Sequence, residues 1–158
     1  VLNPLLEMPA RVEYALLALL TMADHHETNE PLTVSQITAL QKIPDRYLEQ
    51  ILINLRRRGL IRSQRGQRGG YSLMKDPWEI TLLDIVNSVE GDSAQSGKVG
   101  QNKLAGGQAE NSTIEKELVY DVWRQAIKAS QDVWGKYTLY DLWQKRKASQ
   151  QTNPMYYI

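Results

Sequence analysis

The chain has 158 residues, 42% of them hydrophobic, with a formal charge of +1 and no cysteine. That length and apolar content suffice for one well-packed core with an appendage, and the missing thiols exclude disulfides, thiolate-held zinc and cysteine-held iron–sulfur clusters. There is no run of about 18 apolar residues to span a bilayer, and the N-terminus lacks the basic-then-apolar order of a signal peptide, so a cytoplasmic protein without membrane attachment is expected.

The first nine residues are not assigned to the fold. After Pro9, ARVEYALLALLTMADHH places Val12, Leu16, Leu19, Leu20 and Ala23 on one stripe, widened by Tyr14, Leu17 and Met22, which predicts a helix buried on most sides. His25 and His26 close it, positioned to meet its last carbonyls; adjacent helical residues point about 100° apart, so the pair does not make a metal site. ETNEP is a turn. Thr33 and Gln36 then offer a capping box for a second helix over residues 32–40, whose apolar positions are Val34, Ile37 and Leu40. KIPD is a tight turn, because the residue before Pro44 is pushed out of the helical region.

The next stretch begins as a third, strongly amphipathic helix. Tyr47, Leu48, Ile51, Leu52 and Leu55 recur at helical spacing, with Arg46, Glu49, Gln50 and Asn54 on other faces. It ends in Arg56, Arg57, Arg58 and Gly59, cations at the negative end of the helix dipole followed by a residue suited to a left-handed cap. Helix, short turn, helix is the helix-turn-helix unit, whose second helix lies in the major groove of a duplex. Residues 60–63 and 71–73 read as strands around the tip QRGQRGG, a basic hairpin that makes the unit a winged helix. From Arg46 to Lys75 there are eight Lys or Arg against the single acid Glu49, about +7, while the rest of the chain sums to about −6. Phosphates draw such a footprint through counterion release, and glycine-flanked arginines can enter a narrow groove.

Beyond a KDPWE turn, Thr81 is placed to cap a helix with Leu82, Ile85, Val86 and Val89 on one face, ended by Gly91 and packed on the first helix. Residues 92–111 hold four glycines and few apolar residues and are expected to be a flexible loop; they lack the GxxxxGK[ST] arrangement of a phosphate cradle. Ser112 and Glu115 suggest a capping box for the longest helix, over 113–136. Ile114, Leu118, Val122, Ala126 and Val133 run along one of its faces, widened by Trp123 and Trp134. A stripe of that length exceeds what one closed domain can cover, so a second copy of the chain is expected on it. Thr138 caps a last short helix, LYDLWQKRKA. The expected architecture is mainly α: a winged helix-turn-helix domain over 10–91 with a two-stranded wing, the loop 92–111, dimerisation helices over 112–147 and a tail over 148–158.

The runs EYALLALLTMA, YLEQILINLRRRGLIRSQRGQRGGYSLMKDPWEITLLDIVNSVEG and YTLYDLW closely resemble the Rrf2 family of bacterial winged-helix regulators, over about residues 10–145. The resemblance implies a homodimer, joined by the long helix, on an imperfect palindrome. It places the family's base-reading positions on Arg46, Glu49 and Gln50 and its minor-groove wing arginine on Arg65. The residue types suit those roles: a carboxylate accepts from cytosine N4, glutamine pairs with adenine, and arginine fits guanine or a narrow minor groove. Arg56, Arg57, Arg62 and Arg68 are assigned to phosphates. Cluster-binding members of the family carry three cysteines before the long helix, and this chain has none; the histidine that follows those cysteines aligns near Tyr120.

The function expected is that of a sequence-specific transcriptional regulator, a repressor occluding a promoter, acting on double-stranded DNA without an iron–sulfur cluster, metal or other cofactor. Its signal is open between an effector protein and a small molecule acting on the loop or the long helix. The competing expectation is an interaction module that binds a metabolic enzyme or another regulator through the C-terminal helices, although such a module has no need of arginines on both sides of Gly66. No carboxylate pair, histidine–nucleophile constellation or cofactor motif supports an enzyme.

Overall fold

Local signals set the helix boundaries in the computed structural model, which describes residues 7–96 and 113–152. Helix α1 (Ala10–Ala23) stops two residues before the histidines, and His26 Nδ1 lies 2.6 Å from the Ala23 carbonyl, the helix-end role expected of it. Helix α2 (Val34–Gln41) starts at a complete capping box: Thr33 Oγ1 accepts from Gln36 N at 3.2 Å, and Gln36 Oε1 accepts from Thr33 N at 2.8 Å. Helix α3 (Asp45–Arg57) follows Pro44, and Gly59 takes the left-handed conformation, φ +72°, just past its end.

The wing is an antiparallel pair, β1 (Ile61–Gln64) and β2 (Gly70–Leu73), in the register Ile61↔Leu73 to Gln64↔Gly70. A third segment holds its base. Leu32, just before α2, exchanges backbone bonds with Tyr71 at 2.9 and 2.7 Å, tying the hairpin to the helix-turn-helix. That pairing brings the two backbones so close that a Cβ on Gly70 would sit 2.5 Å from the Leu32 carbonyl oxygen, at a φ of +150°. Gly70→Ala is therefore expected to part the wing from Leu32 and to destabilise the protein by about 1–3 kcal/mol. Gly59→Ala, with open space around it, should cost only the left-handed backbone term of about 1 kcal/mol. The two urea midpoints measure the difference.

After a 3-10 turn at Pro77–Glu79, α4 (Leu82–Ser96) packs on α1 and α3, and Arg11 grips Glu90 with two nitrogens at 2.7 and 2.8 Å. Gly91 does not end this helix, contrary to expectation. The Arg58 guanidinium lies beside it, 2.8 Å from where a Cβ would be. The first residues of the expected loop, 92–96, continue α4; the remainder of that loop lies outside the described residues. Helix α5 (Ile114–Lys136) is capped by Thr113, whose hydroxyl accepts from Lys116 N at 3.3 Å, in place of Ser112, which lies outside the described residues.

Helix α6 (Leu139–Thr152) is longer than the sequence suggests and takes in the start of the expected tail. Its first turn pairs with that of α4. Leu82 N donates to Tyr137 O at 2.9 Å and Leu139 N to Ile80 O at 2.8 Å, so the matching segments TLLD and TLYD lie antiparallel, each with its own Thr/Asp box. At the second box the Thr138 backbone N–H, 2.8 Å from Asp141 Oδ2, and then the Thr138 hydroxyl hold the Asp141 carboxyl below its ordinary value of 3.8. A depressed folded-state value means that this cap stabilises α6 above pH 3.8 and is lost as the pH falls below it. Asp141→Asn should thus lower the melting temperature at neutral pH, with the gap from the unaltered protein closing below pH 3.8.

One core unites these elements. Leu19 and Met22 of α1, Ile37 of α2, Leu48, Leu52 and Leu55 of α3, Ile85 and Val89 of α4 and Leu139 of α6 are all buried in it. Each such side chain contributes about 1.5–3 kcal/mol relative to exposure. Trp143 of α6 is also buried, its Nε1 donating to Asp24 Oδ1 at 3.0 Å, and Arg146 pairs with the same carboxylate.

Candidate nucleic-acid interface

The core decides which face of α3 is available. Leu48, Ile51, Leu52, Asn54 and Leu55 are buried, which turns Arg46, Glu49 and Gln50 outward from the N-terminal half of the helix. Arg46 and Glu49 form no hydrogen bond or ion pair with other described residues, so their charged ends are free for a ligand. Gln50 is steered: its Nε2 donates to Asn54 Oδ1 at 3.3 Å, one turn further along, leaving the amide oxygen open. Tyr47, beside them, is exposed and touches the Tyr14 ring at 6.1 Å.

The arginines divide into two groups. Arg56 Nη1 donates to Ser63 Oγ at 3.3 Å, and Arg62 Nε donates to Ser72 Oγ at 3.2 Å across the strand pair, so both guanidiniums are aimed by wing serines yet keep donors to spare. Arg57 is exposed at the end of α3. Arg65 and Arg68 stand at the wing tip, exposed and unpaired among the described residues. Their backbone is shaped by Gly66, at φ +111°, and by Gly69, whose N–H closes the turn on Gly66 O at 3.0 Å and where a Cβ would fall 2.4 Å from Gln64 O. A tight, side-chain-poor tip with two free guanidiniums has the shape and charge to enter a groove. Ser63 and Ser72, two props of this surface, were not singled out from the sequence, and the cross-strand register Arg62↔Ser72 is the signal that could have found one of them; Asn54, expected on a polar face with Arg46, Glu49 and Gln50, is instead buried, where it holds Gln50.

Helix α5 has no buried residue in the single chain. Its 23 residues span about 35 Å, and Leu118 and Trp123 are each 63% exposed, with Ile114, Val122, Ala126 and Val133 exposed alongside. Trp134 differs from that set: it is half-buried against the core, next to Gly135, which lies beside Leu83 of α4. The sequence placed Trp134 with the copy-facing residues because it lies beside them on the helix.

The family model for Rrf2, described as an iron-dependent transcriptional regulator, matches residues 8–145. A Rhodobacter capsulatus protein named as an rrf2-like transcriptional regulator of the HTH type is 40% identical over 86 residues, 53% of this chain and 57% of that protein. Among solved structures, T. potens IscR matches with a TM-score of 0.71 at 26% identity, covering 92% of this chain and 91% of that one. CymR (YrzC), the global cysteine regulator of B. subtilis, matches with a TM-score of 0.63 at 28% identity, covering 89% and 98%. Among the described residues, the iron of the family description finds no fitting donors. The chain has no thiolate, His26 is committed to the Ala23 carbonyl and packed edge-on between Trp78 and Trp143, and no group of three His, Cys, Asp or Glu among the described residues could hold a metal.

Proposed function

The chain belongs to the Rrf2 family, whose members matched here are transcriptional regulators rather than enzymes, and from that premise we propose that it is a homodimeric repressor that reads an imperfect palindrome without an iron–sulfur cluster. Arg46, Glu49 and Gln50 read base edges in the major groove, Arg65 enters the flanking minor groove, and Arg56, Arg57, Arg62 and Arg68 hold phosphates. The observation that carries this reading is the pairing of an exposed reading face on α3, where Arg46 and Glu49 have no partner among the described residues, with two wing-tip guanidiniums equally unpaired among them, both fixed to one core. A second copy covers the exposed face of α5 and sets two α3 helices in successive major grooves, about 34 Å or more apart. The DNA-binding domain, expected over 10–91, runs on to the end of α4 at Ser96, and the dimer is made by the helices within 112–147. A signal from an effector protein or a small molecule, acting through α5, changes the spacing of the two readers. No helix among the described residues is long and apolar enough to cross a membrane, in keeping with action on cytoplasmic DNA.

Repeated selection of the purified protein on random duplex DNA tests the reading. Enrichment of a two-fold symmetric motif is expected. Failure to enrich any sequence would favour the other role open to the exposed α5 face, that of an interaction module for a metabolic enzyme or another regulator.

A further inference from the structure

Lys42 is a residue whose conformation the fold does not explain. Five described residues have a positive φ: Asn29, Lys42, Gly59, Gly66 and Gly70. Four of these are glycine or asparagine, the types that tolerate that region; Lys42, at φ 54° and ψ 40°, is the exception. Its place is the C-cap of α2, where its N–H donates to Thr38 O at 2.8 Å, a bond that glycine would make equally well. The side chain is exposed and makes no hydrogen bond or ion pair with Asp45 or any other described residue. The fold therefore bears a strained backbone at this position and gains from it only what a screened, exposed cation takes from a helix terminus.

The position tells what the cation is for. Ile43, next in the chain, is buried and anchors the turn, and Pro44 and Asp45 begin α3, so Lys42 stands at the edge of the N-terminal half of the reading helix, four residues from Arg46. In a helix-turn-helix docked in the major groove, the turn and the first residues of the second helix face the duplex, with the sugar–phosphate strand bordering the groove beside them. We infer that Lys42 is a phosphate-binding residue of this interface, its ammonium clamping the backbone at the groove edge and fixing how far α3 enters. The side chain at this left-handed turn is exposed, clear of the core. This inference rests on the DNA-binding reading above and adds to it a contact that carries affinity but no sequence information.

The test compares the unaltered protein with Lys42→Gly and Lys42→Arg on a fluorescein-labelled random-sequence duplex of about 30 base pairs, long enough for two half-sites one turn apart. Anisotropy is followed between about 50 and 200 mM salt. Lys42→Gly should melt at the same temperature or higher, bind more weakly, and show a log Kd against log salt slope shallower by about 0.9 per chain, about 1.8 for a dimer. Lys42→Arg should keep the slope. An unchanged slope in Lys42→Gly, or a lower melting temperature, overturns the inference, the second because the lysine would then be serving the fold. If the unaltered protein binds no duplex even at low salt, the DNA-binding reading itself fails, a result distinct from either.

Discussion

Replacing Glu49 with alanine is expected to erase base preference at one position in each half-site while leaving the protein able to bind DNA. The carboxylate projects from the outer face of α3 with no partner among the described residues, so the proposed hydrogen bond to a cytosine N4 would replace water and not a contact within them. Such a contact discriminates against the wrong base by about 1–3 kcal/mol. Glu49 is also the only acid between Arg46 and Lys75, so its removal makes the surface more cationic and should strengthen binding to unrelated sequences. The two effects act together on the ratio of specific to non-specific affinity, which should fall by about one to two orders of magnitude. Competition anisotropy with single-base variants of the selected motif measures it. Arg65→Ala should behave differently, weakening binding most where the flanks are rich in A and T, because a narrow minor groove is what a wing arginine senses.

Val122→Asp is expected to give a folded monomer. Val122 is 66% exposed and α5 buries nothing in the single chain, so a carboxylate there costs the isolated fold almost nothing, whereas between two copies it would be a desolvated, unpaired charge. Sedimentation equilibrium should show the loss of the dimer with the circular dichroism spectrum preserved. Affinity for a two-half-site duplex should drop by about 10²–10⁴, the gain that linking two sites normally gives. Trp134→Ala should instead act on stability, since that ring leans on its own core.

The outward position of Arg46, Glu49 and Gln50 was legible because its signals are short-range. A capping box at Thr33 and Gln36, Pro44 before α3, Gly59 after it and an apolar repeat through Leu48, Leu52 and Leu55 each report on a few neighbouring residues, and together they leave Arg46, Glu49 and Gln50 outward. What escaped depends on partners distant in the chain. Gly91 resembles a helix stop, yet α4 continues through it to Ser96, with the Arg58 guanidinium packed beside it. The Leu32 to Tyr71 pairing and the back-to-back first turns of α4 and α6 are backbone contacts that no local pattern announces. Trp134 and Trp123 lie on the same broad stripe of α5, and only packing leaves the first half-buried against the core and the second exposed. Lys42 was passed over for a related reason: a lysine in a turn is ordinary, and its left-handed backbone is visible only in three dimensions.

The claim that two copies present two reading helices to one duplex is tested most directly by hydroxyl-radical footprinting on the selected motif. The expected result is a two-fold symmetric footprint in which the protected strands border two major grooves one helical turn or more apart, flanked by minor-groove protection that disappears with Arg65→Ala. A single protected segment without symmetry, or flank protection unchanged by Arg65→Ala, would contradict the arrangement of reader, wing and dimer helix described here.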